Sequence, residues 1–195
     1  FNMHQYPLQG YGLRALSGET GKSQFSFYDT SHPMSAGGHI ASGDINNDGR
    51  PEIIVPRTAT GGMGLLAYKN DGTLLWDNQA LWTAWRILHP YNDGIPENAI
   101  PVIADLDGNG QPEIIVGTSV FNSDGSVHCT SDSRLGGGSG ASGSFGISTA
   151  VADVDGDGKQ EILAGNTIYN NDCTIKSWNR NIPDGLTAVG NFDDD

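Results

Sequence analysis

The chain has 195 residues, of which 23 are acidic and 10 are basic, so its formal charge is −13 at pH 7. This length allows one or two domains with a sizeable core and excludes a mini-protein held together mainly by disulfides. The negative charge argues against a nucleic-acid partner, and apolar runs such as 53–55 are far shorter than the roughly 20 residues that a membrane-spanning helix needs.

Short β-branched segments separated by turns and acidic loops recur along the chain. A strand pair over 13–27 matches the end of a repeat. Three complete copies follow, each with an apolar segment, an acidic loop and a β-branched segment, at 39–55, 101–116 and 148–164. Each copy precedes two strands around a turn, at 65–76, 119–129 and 167–178. A fourth copy at 186–195 stops inside its own loop, which indicates a fragment of a longer protein.

Each complete repeat predicts four short antiparallel strands, which is the pattern of a β-propeller blade. The sequences Asn-Asp-Gly at 70–72 and Ser-Asp-Gly at 123–125 support the hairpins, because Gly tolerates the positive φ of tight turns. The predicted fold class is all-β, with about three and a half four-stranded antiparallel blades. We expect the strand before each acidic loop to be innermost and the last strand of each hairpin to be outermost. The innermost strands are predicted at 39–43, 100–104 and 148–152, and the outermost at 73–77, 126–130 and 174–178.

The whole chain, 1–195, is interpreted as one partial propeller domain. Its repeats divide at about 1–38 (the end of a blade), 39–98, 99–146, 147–185 and 186–195 (the start of a truncated blade). The Gly-rich segments 58–64 and 132–146 are interpreted as loops that vary in length between repeats. The segment 78–89 has helical spacing of its apolar residues, and it is either a helix or an irregular loop between blades.

The acidic loops carry oxygen-donor side chains at positions 1, 3, 5 and 9 and Gly at position 6. Such donors converge on one centre when the chain curls around it, and calcium prefers oxygen ligands. The residue at position 7 would contribute only its backbone carbonyl. The candidate ligands are Asp44, Asn46, Asp48, the Arg50 carbonyl and Glu52; Asp105, Asp107, Asn109, the Gln111 carbonyl and Glu113; and Asp153, Asp155, Asp157, the Lys159 carbonyl and Glu161.

An EF-hand, a magnesium or zinc site, and plain turns fit the residues of these loops less well. An EF-hand needs a bidentate Glu at position 12, where this chain has Val55, Val116 and Ala164. Magnesium demands near-octahedral geometry, and zinc prefers His and Cys ligands. Asp, Asn and Gly also form ordinary turns, but the same spacing in three loops favours calcium. The third loop has the most carboxylates, so its site is expected to be the tightest.

The repeat Val-Ala-Asp-x-Asp-Gly-Asp-Gly-x-x-Glu-Ile at 151–162, followed by Tyr-Asn-x-Asp at 169–172, resembles the FG-GAP/VCBS repeats of the integrin α-subunit type of β-propeller. The resemblance extends over nearly all of 13–195. It implies about seven blades in the complete propeller, calcium bound at about three sites through the ligands named above, and a secreted or cell-surface protein. The fourth loop departs from the pattern, because Asn191 replaces the first Asp.

Three and a half blades cannot close a ring, so the partner at the open blade edges is either the rest of a larger chain or another copy. We predict an extracellular, calcium-binding structural or adhesive module with a glycan or protein ligand and without catalytic residues. The alternatives are a non-catalytic or catalytic propeller of a secreted polysaccharide lyase, and a subunit of an extracellular filament.

The remaining motifs carry less information. The glycines at 138, 140 and 143 have dinucleotide-fingerprint spacing but no βαβ context, so no cofactor-binding residues are assigned. Cys129 and Cys173 either form a disulfide between adjacent blades or stay unpaired. Trp76 and Trp178 are expected at equivalent strand ends, packed between blades. Trp82 and Trp85 are the better candidates for stacking on a ligand.

Overall fold

The structure is a computed structural model that describes residues 12–35, 39–59, 62–78, 100–131 and 147–190. All the regular elements in these ranges are β-strands. Their order is β1 (Gly12–Leu16), β2 (Ser23–Tyr28), β3 (Ala41–Gly43), β4 (Glu52–Ala59), β5 (Gly62–Tyr68), β6 (Leu74–Asn78), β7 (Val102–Ala104), β8 (Glu113–Val116), β9 (Ser119–Phe121), β10 (Val127–Thr130), β11 (Ala150–Ala152), β12 (Glu161–Ala164), β13 (Thr167–Tyr169) and β14 (Ile175–Trp178). Among the described residues, no helix could cross a membrane.

The strands form three four-stranded antiparallel sheets and one two-stranded sheet. We call β3–β6 the first blade, β7–β10 the second, β11–β14 the third, and β1–β2 the leading strand pair. In each blade the strands lie side by side in chain order. The strands β3 and β11 both contact β7, so the strands that precede the acidic loops face one another. The all-β prediction and the predicted order of inner and outer strands are therefore confirmed.

The second strand of the second blade is apolar on both faces because the first and third blades cover it from the two sides. All four residues of β8 and of β12 are buried. Residues at alternating positions belong to different cores: Ile114 packs with the first blade, whereas Ile115 packs with the third. A continuous β-branched run is what such a doubly covered strand requires.

Three apolar clusters lie between successive sheets. The first blade contributes Ile54 and Ala67 to a cluster with Phe121 of the second blade. Tyr169 of the third blade packs against a cluster with Val120 of the second. The leading strand pair packs through Leu13 against the opposite face of the first blade. The blades are thus stacked face to face in chain order.

The exposure of the second residue of each acidic loop depends on whether a further blade covers it. Ile45 and Leu106 are 0% and 1% exposed, because the next blade covers them, whereas Val154 is 41% exposed. The described residues therefore leave the corresponding face of the third blade open.

Two sequence-based expectations are wrong. The composition of segment 58–64 predicts a loop, but β4 and β5 continue pairing through Ala59 and Gly62, so the insertion lengthens a hairpin. Trp76 and Trp178 are not equivalent: Trp76 pairs with Ala67, whereas Trp178 pairs with Thr167, one position further along the hairpin. A one-residue offset turns a strand side chain to the other face.

Several expectations fall on residues outside the described ranges. These are the helix or loop over most of 78–89, the tryptophans at 82 and 85, the Gly/Ser segment 132–146 and the truncated loop at 191–195.

Cys129 and Cys173 form a disulfide between β10 of the second blade and the hairpin turn of the third. The sequence leaves this pairing open, and the structure settles it. Cys173 has a φ of 64° at a turn position where the other two hairpins have Gly72 and Gly125.

A polar cluster fastens the leading strand pair to the first blade. Asp29 accepts a hydrogen bond from Tyr68 Oη at 3.3 Å and lies 2.8 Å from His32 Nδ1. Asp77 lies 3.7 Å from the other ring nitrogen of His32, Nε2, and 3.3 Å from Arg57 Nε. These residues come from distant parts of the sequence, and the sequence patterns did not indicate them.

Candidate metal sites

The acidic loops 44–52, 105–113 and 153–161 share one backbone conformation. Position 6 is left-handed in all three, at Gly49, Gly110 and Gly158, with φ between 84° and 87°. Position 4 is left-handed as well, at Asn47, Gly108 and Gly156. The sequence indicated the turn at position 6 but not at position 4, where Asn in the first loop hides the pattern because Asn tolerates this region.

The aspartate at position 1 organises each loop through backbone amides. In the first loop, Asp44 Oδ1 accepts from the Asp48 amide at 3.0 Å, and Asp44 Oδ2 accepts from the Gly49 amide at 2.8 Å. The same pairs recur at Asp105 and Asp153. A carboxylate that receives two amide donors is held in one orientation.

The glutamate at position 9 lies at the base of each loop. Glu52, Glu113 and Glu161 are 1%, 4% and 2% exposed. Each accepts a hydrogen bond from the backbone amide at position 2, at 2.9 to 3.1 Å. The buried glutamate therefore ties the start of the second strand to the beginning of the loop.

In the second and third loops, the carboxylates at positions 1, 3 and 9 converge. One oxygen each from Asp105, Asp107 and Glu113 lies within 4.8 Å of the others, and the corresponding set in the third loop has the same spacing. Two oxygens that bind one Ca²⁺ at 2.3–2.6 Å are at most about 5 Å apart. The three carboxylates of each set are therefore close enough to share one metal ion.

The first loop has an amide at position 3. Asn46 Oδ1 accepts from the Asp48 amide at 2.9 Å, as the aspartates do in the other loops, and Asn46 Nδ2 donates to Glu52 Oε1 at 3.2 Å. The side chain thus has the same place and the same backbone partner, with one charge fewer.

The other candidate ligands are at positions 5 and 7. At position 5, one side-chain oxygen of Asp48, Asn109 and Asp157 accepts the amide of position 7, which closes a local turn. At position 7, the side chains of Arg50, Gln111 and Lys159 are exposed. The structure thus brings the carboxylates of positions 1, 3 and 9 together in the second and third loops. The contribution of position 5 and of the position-7 carbonyls stays a prediction.

Burial changes the electrostatics of the position-9 carboxyls. It raises the pKa of Glu52, and nearby Asp48 and Asp44 add to the effect. It also raises the pKa of Glu113, to which Asp107 contributes. A negative charge at these places is disfavoured until a cation offsets it.

The three loops lie next to one another on one side of the stacked blades. Asn47 Nδ2 in the first loop donates to the Gly110 carbonyl in the second at 2.6 Å. The Gln160 amide in the third loop donates to the Leu106 carbonyl in the second at 2.9 Å. The prediction that the loops share one rim is confirmed for these three loops.

One residue at the third loop was missed by the sequence patterns. Lys176, on β14, lies 2.9 Å from Glu161 Oε1 through its Nζ and also contacts Asp155 Oδ2. These contacts raise the pKa of Lys176 and lower that of Asp155. When the three hairpins are aligned, Lys176 falls at the position of Leu75 and His128. The alternation of side chains along a strand does not by itself show that this position faces the acidic loop.

Comparison with known proteins supports the repeat assignment over part of the chain. The model of the FG-GAP repeat matches residues 145–173, which include the whole third loop. No significant relative was found among curated protein sequences.

Solved structures with a similar fold include the V. cholerae biofilm matrix protein Bap1, at a TM-score of 0.56 and 20% identity, covering 89% of this chain and 25% of that one. The exotype rhamnogalacturonan lyase YesX matches at a TM-score of 0.36 and 19% identity, over 83% of this chain and 42% of that one. A Bacillus licheniformis rhamnogalacturonan lyase matches at 0.37 and 18% identity, over 86% and 44%. The chain therefore spans less than half the length of the structures it matches.

Proposed function

We propose that this chain is part of an extracellular β-propeller that binds calcium in its acidic loops and serves as a structural or adhesive recognition module. The observation that carries the proposal is the repeated group of oxygen donors at positions 1, 3 and 9 of the acidic loops, which we call the oxygen cage. The same fold position presents a buried glutamate and an amide-oriented aspartate in three successive blades, and two of the cages have three carboxylates within 4.8 Å.

Calcium would supply positive charge to a group of carboxylates that otherwise repel one another. The residues that would hold it in the second loop are Asp105, Asp107 and Glu113, with the outer donors Asn109 and the Gln111 carbonyl. Because the three loops are linked by hydrogen bonds, calcium in one loop would also stiffen the rim shared by neighbouring blades.

Two observations support an extracellular location. The disulfide joins two blades, and such bonds persist mainly in oxidising compartments. The FG-GAP repeat model matches part of the sequence, and the fold resembles that of a biofilm matrix protein. We place recognition before catalysis, because the feature that recurs from blade to blade is the oxygen cage.

Calcium removal tests the proposal directly. We expect excess chelator to lower the melting temperature of the chain by several degrees, because a ligand that binds only the native state stabilises it by mass action. Asp105→Asn should reduce the calcium-dependent part of this shift. Asp124→Asn is the matched control, because Asp124 closes a hairpin turn with Ser126 outside the acidic loops.

Two results would count against the proposal. An unchanged melting curve after confirmed metal removal would contradict calcium binding by the loops. Turnover of an acidic polysaccharide by the purified chain would contradict the non-catalytic role, whereas saturable glycan or protein binding without turnover would support it.

A further inference from the structure

The third loop already contains a cation from its own chain. Lys176 Nζ contacts one oxygen each of Asp155 and Glu161, two of the three carboxylates that form the third cage. The Lys176 side chain is 27% exposed, whereas that of Glu161 is 3% exposed. The ammonium therefore reaches from the surface to the buried base of the loop.

An irregularity in the sheet places Lys176 there. Between β13 and β14 the register shifts, so that Tyr169 pairs with Ile175 and Ile168 pairs with Ser177. Lys176 is the extra residue, and a β-bulge re-aims the side chain at such a position. The contacts show that it is directed towards Glu161.

The same bulge occurs in the other two blades, with different residues. Leu75 is the extra residue in the first blade and packs against the apolar cluster of Ile45 and Ile54. His128 is the extra residue in the second blade, and its Nδ1 lies 3.0 Å from Asn122 Oδ1. Among the three equivalent positions, only the third carries a permanently charged cation in contact with cage carboxylates.

We propose that Lys176 is a tethered competitor for calcium, so that the third loop binds calcium more weakly than the first and second loops. This inference rests on the proposed calcium binding. It reverses the ranking expected from the number of carboxylates. The fourth carboxylate of the third loop is offset by one ammonium, and calcium must displace that ammonium from two of its ligands.

A simple surface ion pair would not have this effect. Exposed pairs contribute little, because water and salt screen them. Lys176 instead contacts a carboxylate that is almost fully buried, and separating such a pair leaves a buried charge that a new cation must neutralise. Displacement by calcium therefore carries a penalty that the first loop, with Leu75, does not have.

The chain provides a separate reporter for each loop. The amides of Gly49, Gly110 and Gly158 donate to the position-1 aspartates at 2.8 to 2.9 Å. Their ¹H–¹⁵N signals should therefore respond when calcium binds to their own loop. We would titrate the full chain with calcium alone at constant pH and follow the three signals.

In the unmodified chain, the Gly158 signal should reach its midpoint at a higher calcium concentration than the signals of Gly49 and Gly110. Lys176→Met should lower the Gly158 midpoint by about tenfold or more, since it removes the competing ammonium and keeps the aliphatic stem. Lys159→Met is the matched control. It removes the same charge from an exposed side chain of the same loop, so its effect through screened electrostatics should stay below about threefold.

The outcomes separate this inference from the proposed function. If Gly158 titrates first or together with the others in the unmodified chain, or if Lys176→Met and Lys159→Met act equally, Lys176 does not compete and calcium binding itself stands. If none of the three signals responds to calcium, the proposed function fails and this inference with it. Should Lys176→Met fold poorly, Lys176→Gln tests the same loss of charge with a polar side chain.

Discussion

The two interfaces between complete blades fill the same space with different side chains. This space lies between the last strand of one blade and the hairpin turn of the next, and we call it the slot. Between the first and second blades, the Trp76 ring lies over the hairpin turn at Gly125, and its Nε1 donates to the Ser123 carbonyl at 2.9 Å. Between the second and third blades, Cys129 occupies the strand position of Trp76, and Cys173 occupies the turn position of Gly125. The disulfide thus stands where the first interface has a ring over a glycine.

Blade geometry fixes the position of the slot but not the residues that fill it. The turn residue has a positive φ in both interfaces, 80° at Gly125 and 64° at Cys173. The leading strand pair provides a third example, with the Phe27 ring over Gly72. Glycine is the expected residue where a ring covers the turn, whereas cysteine accepts the left-handed conformation where its sulfur reaches the preceding blade.

Removing the disulfide should have the largest effect on stability. The bond closes a segment of 44 residues, for which the chain-entropy model gives about 4 kcal/mol. For a chain of this size, that corresponds to a fall of about 10 °C in melting temperature. Calorimetry with and without reductant would measure it, after thiol titration has confirmed reduction.

The double variant Cys129→Ser with Cys173→Gly serves as the control for reductant. It should melt near the temperature of the reduced chain and respond no further to reductant. A fully reduced chain with an unchanged melting temperature would show that the apolar packing of the second interface suffices without the covalent bond.

Trp76→Ala should have the next largest effect, about 2–3 kcal/mol, since it empties a half-buried slot and removes an indole hydrogen bond. Trp76→Phe keeps a ring but leaves the Ser123 carbonyl without that donor, and it should cost about 1 kcal/mol. Denaturant unfolding would give both values.

Trp178→Phe is the matched control for the hydrogen bond. The buried Nε1 of Trp178 has no hydrogen-bond partner among the described residues, so its removal should be neutral or stabilising. Equal losses for Trp76→Phe and Trp178→Phe would show that the indole hydrogen bond does not distinguish the first interface.

Gly125→Ala should cost about 2 kcal/mol, because a Cβ there would lie 3.0 Å from two carbon atoms of the Trp76 ring and the φ is left-handed. Gly21→Ala is the control for φ alone. Gly21 has a φ of 67° with open space around it, and its substitution should cost about 1 kcal/mol.

A double-mutant cycle separates the contact with the Trp76 ring from the effect of the backbone conformation at Gly125. In the Trp76→Ala background, Gly125→Ala should cost no more than Gly21→Ala, because the close ring is gone. An undiminished cost would assign the whole effect to the backbone conformation and none to the slot.

The sequence predicted the blades because each repeat carries local signals. The Asp-Gly turns and the β-branched segments define strands within a few residues, and chain-order pairing needs no long-range information. The segment 58–64 shows the limit of this reasoning: its glycines resemble a loop, but pairing with the rest of the hairpin keeps the backbone extended. Hydrogen bonding between the two strands of the hairpin overrode local composition there.

The sequence predicted the carboxylates of the candidate sites for the same reason, but it did not predict the lysine that contacts them in the third loop. Positions 1, 3 and 9 belong to one short segment, so their convergence follows from the curl of the loop. Lys176 lies 15 residues after Glu161, on another strand, and reaches it only through a bulge. The cluster of Asp29, His32 and Asp77 likewise joins segments that no local pattern connects.

The smallest predicted effect distinguishes the interface of the leading strand pair from the other two. Burial alone would raise the pKa of Asp29, but hydrogen bonds from His32 and the Ser31 amide outweigh it and lower the pKa below the ordinary 3.8. A lowered pKa in the folded state contributes stability above the unfolded value, and this contribution is lost as the pH falls through the folded value. Asp29→Asn should therefore destabilise the chain near neutral pH, and the difference from the unmodified chain should shrink below about pH 4.

Glu19→Gln, at an exposed turn, provides the control in chemical denaturation at several pH values. A difference between Asp29→Asn and the unmodified chain that stays constant down to pH 2 would show that Asp29 acts through the shape of its turn rather than through its charge.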